Sequence, residues 1–303
     1  MRAATPIRFV VGSRQLFGVS RELETVAYSL ADLVVGKTVG LPPLPNDAEG
    51  YRVLSAPASA VARITAARPD LVPGGVHRYQ RHYIAMDGGF DAYMAGFSGK
   101  TRSTLRRKLR KFAEAGGGAL DLREYRGGAE FDAFLAAALP LSRRTYQGRR
   151  LGAGLPEAAE AQARLREGAA DDRLRASILF LDGKPASYLC LPVEGETLIY
   201  AWLGYDPALA HLSPGAVHQL AALESLFAEA RFTFFDFTEG EGAHKALFGT
   251  AAVEAASFFL LRRSAANRLL MGALDGFDRS VATGRRMAER SGVLAGARRL
   301  LKR

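Results

Sequence analysis

Apolar positions recur at helical spacing between Thr101 and Ala115, where Leu105, Leu109 and Phe112 form one stripe and Arg106, Arg107, Lys108, Arg110 and Lys111 take the other faces. This period predicts an amphipathic helix that Ser103 or Thr101 can cap and that Gly116-Gly117-Gly118 ends. A strand is expected over Ala119 to Tyr125. Helices are expected over Glu130 to Tyr146 and Pro156 to Gly168, joined by a loop holding Gly148, Gly152 and Gly154. From Leu174 the pattern changes to short apolar runs between turn residues. Leu174 to Leu181, Ala186 to Val193 and Thr197 to Gly204 read as three successive strands, with a hairpin turn at Asp182-Gly183 and a second connection at Glu194-Gly195-Glu196. Pro214 to Ala230 then reads as a helix with Pro and Gly in its first turn. An aromatic strand over Arg231 to Thr238, a loop or short helix over Gly240 to Gly249 and a last strand over Ala252 to Arg262 complete the series.

The first hundred residues are less periodic. Strand-like runs occur at Ile7 to Val11 and His82 to Met86, and Phe90 to Phe97 reads as a short helix. The tail from Ala265 to Arg303 is helical in pattern and basic, with Leu269, Leu270, Leu274, Phe277, Val281, Met287 and Leu294 as its inward candidates. A meander feeding a right-handed strand-helix-strand crossover predicts an α+β protein in three layers, with a mixed, mostly antiparallel sheet and helices on both faces. The expected divisions are an N-terminal α+β subdomain over 1–97, a central domain over 98–263 and a basic helical tail over 264–303.

Composition narrows the class. The 303 residues are 48% apolar and 24% charged, enough for a core and too little bias for disorder. A single cysteine, Cys190, excludes a disulfide framework, and its apolar surroundings read as a small buried hydrophobe rather than a catalytic thiol. The N-terminus lacks a signal-peptide pattern, and no window matches a membrane span, so a cytoplasmic protein, or one peripheral to a membrane, is expected. The formal charge of +10 is concentrated: Lys100 to Phe112 holds seven bases and no acid, and Arg262 to Arg303 holds eleven bases against three acids. Both stretches point to anionic partners as an alternative to a solvated face.

Three places carry candidate chemistry. Ser213-Pro214-Gly215 follows a strand and opens a helix, where free N–H groups and the helix dipole favour a phosphate; an ordinary helix start has the same look. Asp236 sits in an aromatic strand and needs a partner, which His244 or Lys245 on the next loop can supply, either as a structural pair or as part of a site. Gly99-Lys100-Thr101 imitates a nucleotide-binding loop, but Met94 stands where that motif needs glycine. The five histidines lack metal-ligand spacing, and no Gly-x-Ser-x-Gly elbow occurs.

Ser98-Gly99-Lys100-Thr101-Arg102 running into Leu105-Arg106-Arg107, the meander, Tyr205-Asp206-Pro207, Ser213-Pro214-Gly215 and Asp236-Phe237-x-x-Gly240-x-x-x-His244-Lys245 together resemble the acetyltransferase-like branch of the GNAT superfamily. That branch includes proteins associated with polysaccharide and cellulose biosynthesis and is related to the Fem-type aminoacyltransferases. The resemblance runs from about His82 to Arg263 and would make residues 1–97 a degenerate GNAT half. The usual GNAT pyrophosphate loop, Gln/Arg-x-x-Gly-x-Gly/Ala, is absent, and Ser213-Pro214-Gly215 stands in its place.

The resemblance implies an N-acyltransferase that moves an acyl group, acetyl in the simplest case, from a CoA-type thioester to an amine. Asp236 or Glu239 would take the amine proton, and Tyr200 or Tyr205 would protonate the leaving thiolate. Trp202, Leu203, Ser213, Pro214, Gly215, Ala216 and Lys245 would hold acetyl-CoA or another acyl-CoA. Arg102, Arg106, Tyr146 and His244 would meet the acceptor. Two other readings stay open: transfer from an aminoacyl-tRNA tracked by the basic helix and tail, and an inactive binding module on an anionic membrane or nucleic acid. The acceptor and the oligomeric state are not legible in the sequence.

Overall fold

In Leu174–Leu181 one alternating face is Leu174, Ala176, Ile178 and Phe180 and the other Arg175, Ser177, Leu179 and Leu181, and all but the last residue are buried, so the strand lies in a sheet covered on both sides. The structure is a computed structural model, and it describes residues 2–12, 14–37, 40–145, 154–240 and 242–290. The chain forms two compact units, Arg81–Ala252 and Met1–Gln80 with Val253–Arg303.

In the Arg81–Ala252 unit the sheet is built from β5 (Asp121–Tyr125), β6 (Leu174–Leu181), β7 (Lys184–Glu194), β8 (Thr197–Ile199), β9 (Trp202–Tyr205) and β10 (Phe234–Asp236). β5, β6 and β7 pair antiparallel in that order, β8 and β9 both pair with β7, and β10 runs parallel to β8. Asp182 and Gly183 turn the β6–β7 hairpin with φ of 49° and 71°, the positive values that a two-residue turn of this hand requires. One face of β7 gives Tyr188 and Cys190 to a core with α5 (Gly127–Arg144) and α6 (Ala159–Ala170). The other gives Leu189 and Leu191 to a core with α7 (Pro214–Ala228), with Tyr93 and Met94 of α3 (Gly89–Ala95) and with Leu105 of α4 (Gly99–Ala115). The expected sheet with helices on both faces is therefore present. Cys190 is fully buried, and burial pushes its thiol far above the ordinary range.

Two local expectations are corrected. The cap of α4 is Ser98, not Thr101 or Ser103: its Oγ accepts the Thr101 N–H at 3.2 Å. Thr197 to Gly204 is not one strand. It breaks at Tyr200-Ala201, because three steps along β7 from Val193 to Cys190 face four from Leu198 to Trp202, leaving one residue bulged.

In the other unit, β1 (Arg2–Val11) and β2 (Arg14–Ala27) form a long antiparallel hairpin, β2 runs parallel to β3 (Gly50–Pro57), and β3 pairs antiparallel with β11 (Ala251–Arg262). β4 (Leu71–Ala85) completes this sheet, and its last residues, Arg81 to Ala85, belong to the first unit. The short helices α1 (Leu30–Val34) and α2 (Val61–Ala66) cover it, as does the long α9 (Ala265–Arg290), which lays Met271 and Leu274 on Ile7, Phe9 and Leu23. Among the described residues, no helix is long and apolar enough to cross a membrane.

Candidate active site

The break at Tyr200-Ala201 sets the site. The Tyr200 N–H still donates to the Asp236 carbonyl at 2.9 Å, and the Ala201 N–H turns back to the Ile199 carbonyl at 2.8 Å. Beyond this point β10 has ended, and among the described residues β9 is held by β7 alone. A cleft of about 470 Å³ follows, lined by Tyr200, Leu203, Tyr205, Ala210, Ser213, Pro214, Gly215, Ala216, Gly242, His244 and Lys245.

The start of α7 forms one wall. A 3-10 segment, Pro207–Leu212, leads into Ser213, which takes a left-handed φ of 56° and turns the chain into the helix. Ala216 and Val217 donate back to the Ser213 carbonyl, while Pro214 has no N–H and the Gly215 N–H lies in the first turn, where a helix supplies no acceptor. Gly215 is needed for the approach of Tyr205: a Cβ there would lie 3.3 Å from the Tyr205 ring. Alternation along β9 sends Leu203 and Tyr205 into the cleft and Trp202 to the opposite face, against the core under α5.

The other wall is α8 (Ala243–Phe248), reached through a turn that Asp236 organises. Asp236 is fully buried and accepts from Arg81 through both carboxylate oxygens, from Nε at 3.1 Å and from Nη2. It also accepts the Thr238 N–H at 2.8 Å, holding Thr238 at a φ of 62°. On α8, His244 Nε2 and Tyr200 Oη lie 3.2 Å apart. Burial, then Lys245 and Lys108, lowers the His244 imidazole below the ordinary histidine range, so the ring is neutral at neutral pH. Burial also pushes the Tyr200 phenol up and the Lys245 ammonium down, and Lys245 Nζ donates to the Glu239 carbonyl at 2.5 Å.

The Acetyltransferase (GNAT) domain family matches residues 99–246, a span that begins with α4 and ends on the His244-Lys245 pair. Residues 99–246 form a domain of the GNAT fold. In fold the chain is similar to FemX, with a TM-score of 0.53 at 11% identity over 90% of each chain. It is also similar to the C-terminal domain of a putative lysylphosphatidylglycerol synthetase from Agrobacterium fabrum, with a TM-score of 0.50 at 12% identity over 75% of this chain and 71% of that one. The sequence matches none of the curated proteins.

Within the GNAT domain, nine of the residues read from the sequence meet in one cleft: Tyr200, Leu203, Tyr205, Ser213, Pro214, Gly215, Ala216, His244 and Lys245. Others do not. The partner of Asp236 is Arg81 rather than His244 or Lys245, because β4 lies beside β10 and brings the guanidinium into the core. Glu239 is exposed and offers its backbone carbonyl to Lys245. Trp202 faces away, as described. Arg102 donates to the Ala95 and Phe97 carbonyls and so braces the turn before α4. Arg106 is exposed on α4, and Tyr146 lies outside the described residues. Arg81 was missed because its strand carries no sequence signal linking it to Asp236, 155 positions away.

The cleft suits an anionic ligand. Among the described residues its lining holds no carboxylate, it has a helix N-terminus on one side and His244 and Lys245 on the other, and its volume is within the range of small-molecule sites. The basic helix adds to this. Lys111 Nζ donates to the His211 carbonyl at 3.1 Å, beside the start of α7, and the charge of Lys108 reaches His244.

Proposed function

We propose that the GNAT domain transfers an acyl group from a CoA-type thioester to an amine, with Tyr200 and His244 managing the proton. The observation that carries this reading is a hydrogen-bonded phenol and neutral imidazole in the same cleft as a helix N-terminus fitted for phosphate. The N-terminal turn of α7 and Lys245 hold the anionic part of the donor. The thioester supplies the activated carbonyl. Tyr200 Oη and His244 Nε2 both face the cleft and are hydrogen-bonded, so the proton lost by the attacking amine can pass through the hydroxyl to the imidazole. It returns by the same path to the leaving sulfur. Asp236, paired with Arg81, fixes the turn that delivers α8 and touches no reacting atom.

Calorimetry with acetyl-CoA tests the donor: binding that weakens when Lys245 is replaced by Met supports the reading, and no binding at millimolar concentration removes it.

A second reading, transfer from an aminoacyl-tRNA, is favoured by α4, whose Lys108 acts electrostatically on His244 and whose Lys111 donates to the His211 carbonyl before α7. It predicts a tRNA gel shift that fades steeply as salt rises. Either donor leaves the acceptor amine to be identified.

A further inference from the structure

The two units differ sharply in charge. Arg81–Ala252 holds 21 bases and 21 acids, whereas Met1–Gln80 with Val253–Arg303 holds 20 bases and 10 acids, so the second unit carries the whole net charge of +10. The same unit holds eight of the nine exposed large apolar side chains among the described residues, all except Leu247. Three of the eight, Val11, Leu16 and Phe17, cluster at the end of the β1–β2 hairpin, each about half exposed.

Their exposure has a structural origin. The ladder pairs Phe9 with Phe17 but Val10 with Gln15, so Leu16 is an extra residue bulged out of β2. A bulge takes a residue out of the ladder's regular alternation, and here Leu16 and the adjoining Phe17 are both about half exposed. Phe17 also stacks on Phe9 at 4.1 Å between ring centroids, and Phe9 meets Phe277 of α9 edge-on at 5.3 Å, so the tip is braced rather than loose. Behind it is a cleft of about 1360 Å³, in whose lining Val11 and Val76 stand with two bases, Arg78 and Arg279, and two acids, Asp275 and Asp278. Among the described residues neither base pairs with a carboxylate: Arg78 donates to the Ala58 carbonyl and Arg279 to the Asp275 carbonyl.

We propose that this unit docks on a bilayer containing anionic phospholipid, with Val11, Leu16 and Phe17 entering the interface and Arg78 and Arg279 meeting headgroup phosphates. A lipid surface is the occupant that satisfies both features at once. Basic residues are drawn to an anionic leaflet, and half-exposed apolar side chains gain by leaving water. A nucleic acid would use the charge but leave Val11 and Leu16 in water, and one ring face of Phe17 is already covered. The inference stands on this unit alone and does not depend on the donor proposed for the GNAT domain.

The test is flotation of the full chain with vesicles of phosphatidylcholine alone, or of phosphatidylcholine and phosphatidylglycerol in equal parts. The protein is expected to float with the anionic vesicles and to remain behind with the neutral ones. Leu16→Lys separates the explanations, because it adds a positive charge while removing an apolar side chain. Binding should weaken about tenfold despite the extra charge, with an unchanged melting profile confirming that the fold is intact. Absence of flotation with either vesicle overturns the proposal. So does undiminished binding by Leu16→Lys, which would leave charge alone as the cause. Tight binding to RNA without vesicle binding assigns the basic surface to nucleic acid instead.

Discussion

Tyr200 Oη lies 3.2 Å from His244 Nε2 although neither residue belongs to a regular strand: Tyr200 sits in the break between β8 and β9, and His244 near the start of α8. The pair joins two excursions from the sheet, and this is what makes it available to a ligand. Burial keeps the imidazole neutral and the phenol protonated at neutral pH, so proton transfer can begin without a prior titration.

From this pair, a pH profile follows. The His244 imidazole titrates below the ordinary value of about 6.5, so the acid limb of kcat/KM should lie below that value. Activity should hold as pH falls from 8 to about 6.5 and decline only at lower pH. His244→Gln should lower turnover by about two orders of magnitude and remove this limb. An acid limb unchanged in His244→Gln would take His244 out of the chemistry.

For Asp236 the prediction concerns stability. Replacing it by Asn removes the carboxylate paired with the buried Arg81 guanidinium, and breaking such a pair costs about 3–5 kcal/mol. Urea unfolding should show that loss. The molecules that remain folded should keep the pH limb of the parent, since the limb belongs to His244. A variant of parent stability with its turnover abolished would instead make Asp236 a reacting group.

His218 gives the fold an acid-sensitive point. It is fully buried between Ser177 Oγ at 2.8 Å and Ser187 Oγ at 3.0 Å, and burial lowers its pKa to about 3. Its unfolded value is near 6.5, so the unfolded chain binds a proton that the fold refuses. The stabilisation is complete above about pH 6.5 and falls by up to about 1.4 kcal/mol per unit as pH drops toward 3. His218→Gln should flatten the dependence of urea midpoint on pH in that window by about one proton. Parallel curves for the two proteins would show that His218 is not the titrating group.

Gly204 has no space for a side chain. A Cβ there would lie 2.4 Å from Cε1 of Tyr188 and 2.6 Å from Cγ2 of Thr145. Gly204→Ala should cost roughly 1–3 kcal/mol in thermal unfolding by overpacking, and Tyr188→Leu in the same chain should restore part of it. If the single variant melts with the parent, the close packing described for β9 is incorrect.

Local signals determined much of the GNAT domain. The stripe Leu105, Leu109, Phe112, the turn Asp182-Gly183 and the Pro214-Gly215 helix start each act within a few residues, so the period and the turn chemistry are written directly in the chain. The nine cleft residues were legible through the resemblance to the GNAT superfamily, whose motifs lie at strand ends and helix starts, rather than through local signals. The first hundred residues were harder: β2 is a long, mostly solvent-facing strand with charges along it, and β3 pairs parallel to it across an intervening helix, an arrangement with no short-range signature. Only the tertiary structure decided which groups meet. Arg81 reaches Asp236 because β4 lies beside β10, and Tyr200 reaches His244 because one extra residue breaks the third strand of the meander. Pairings of this kind depend on strand order and register, which are settled by the packing of the whole sheet rather than by neighbouring residues.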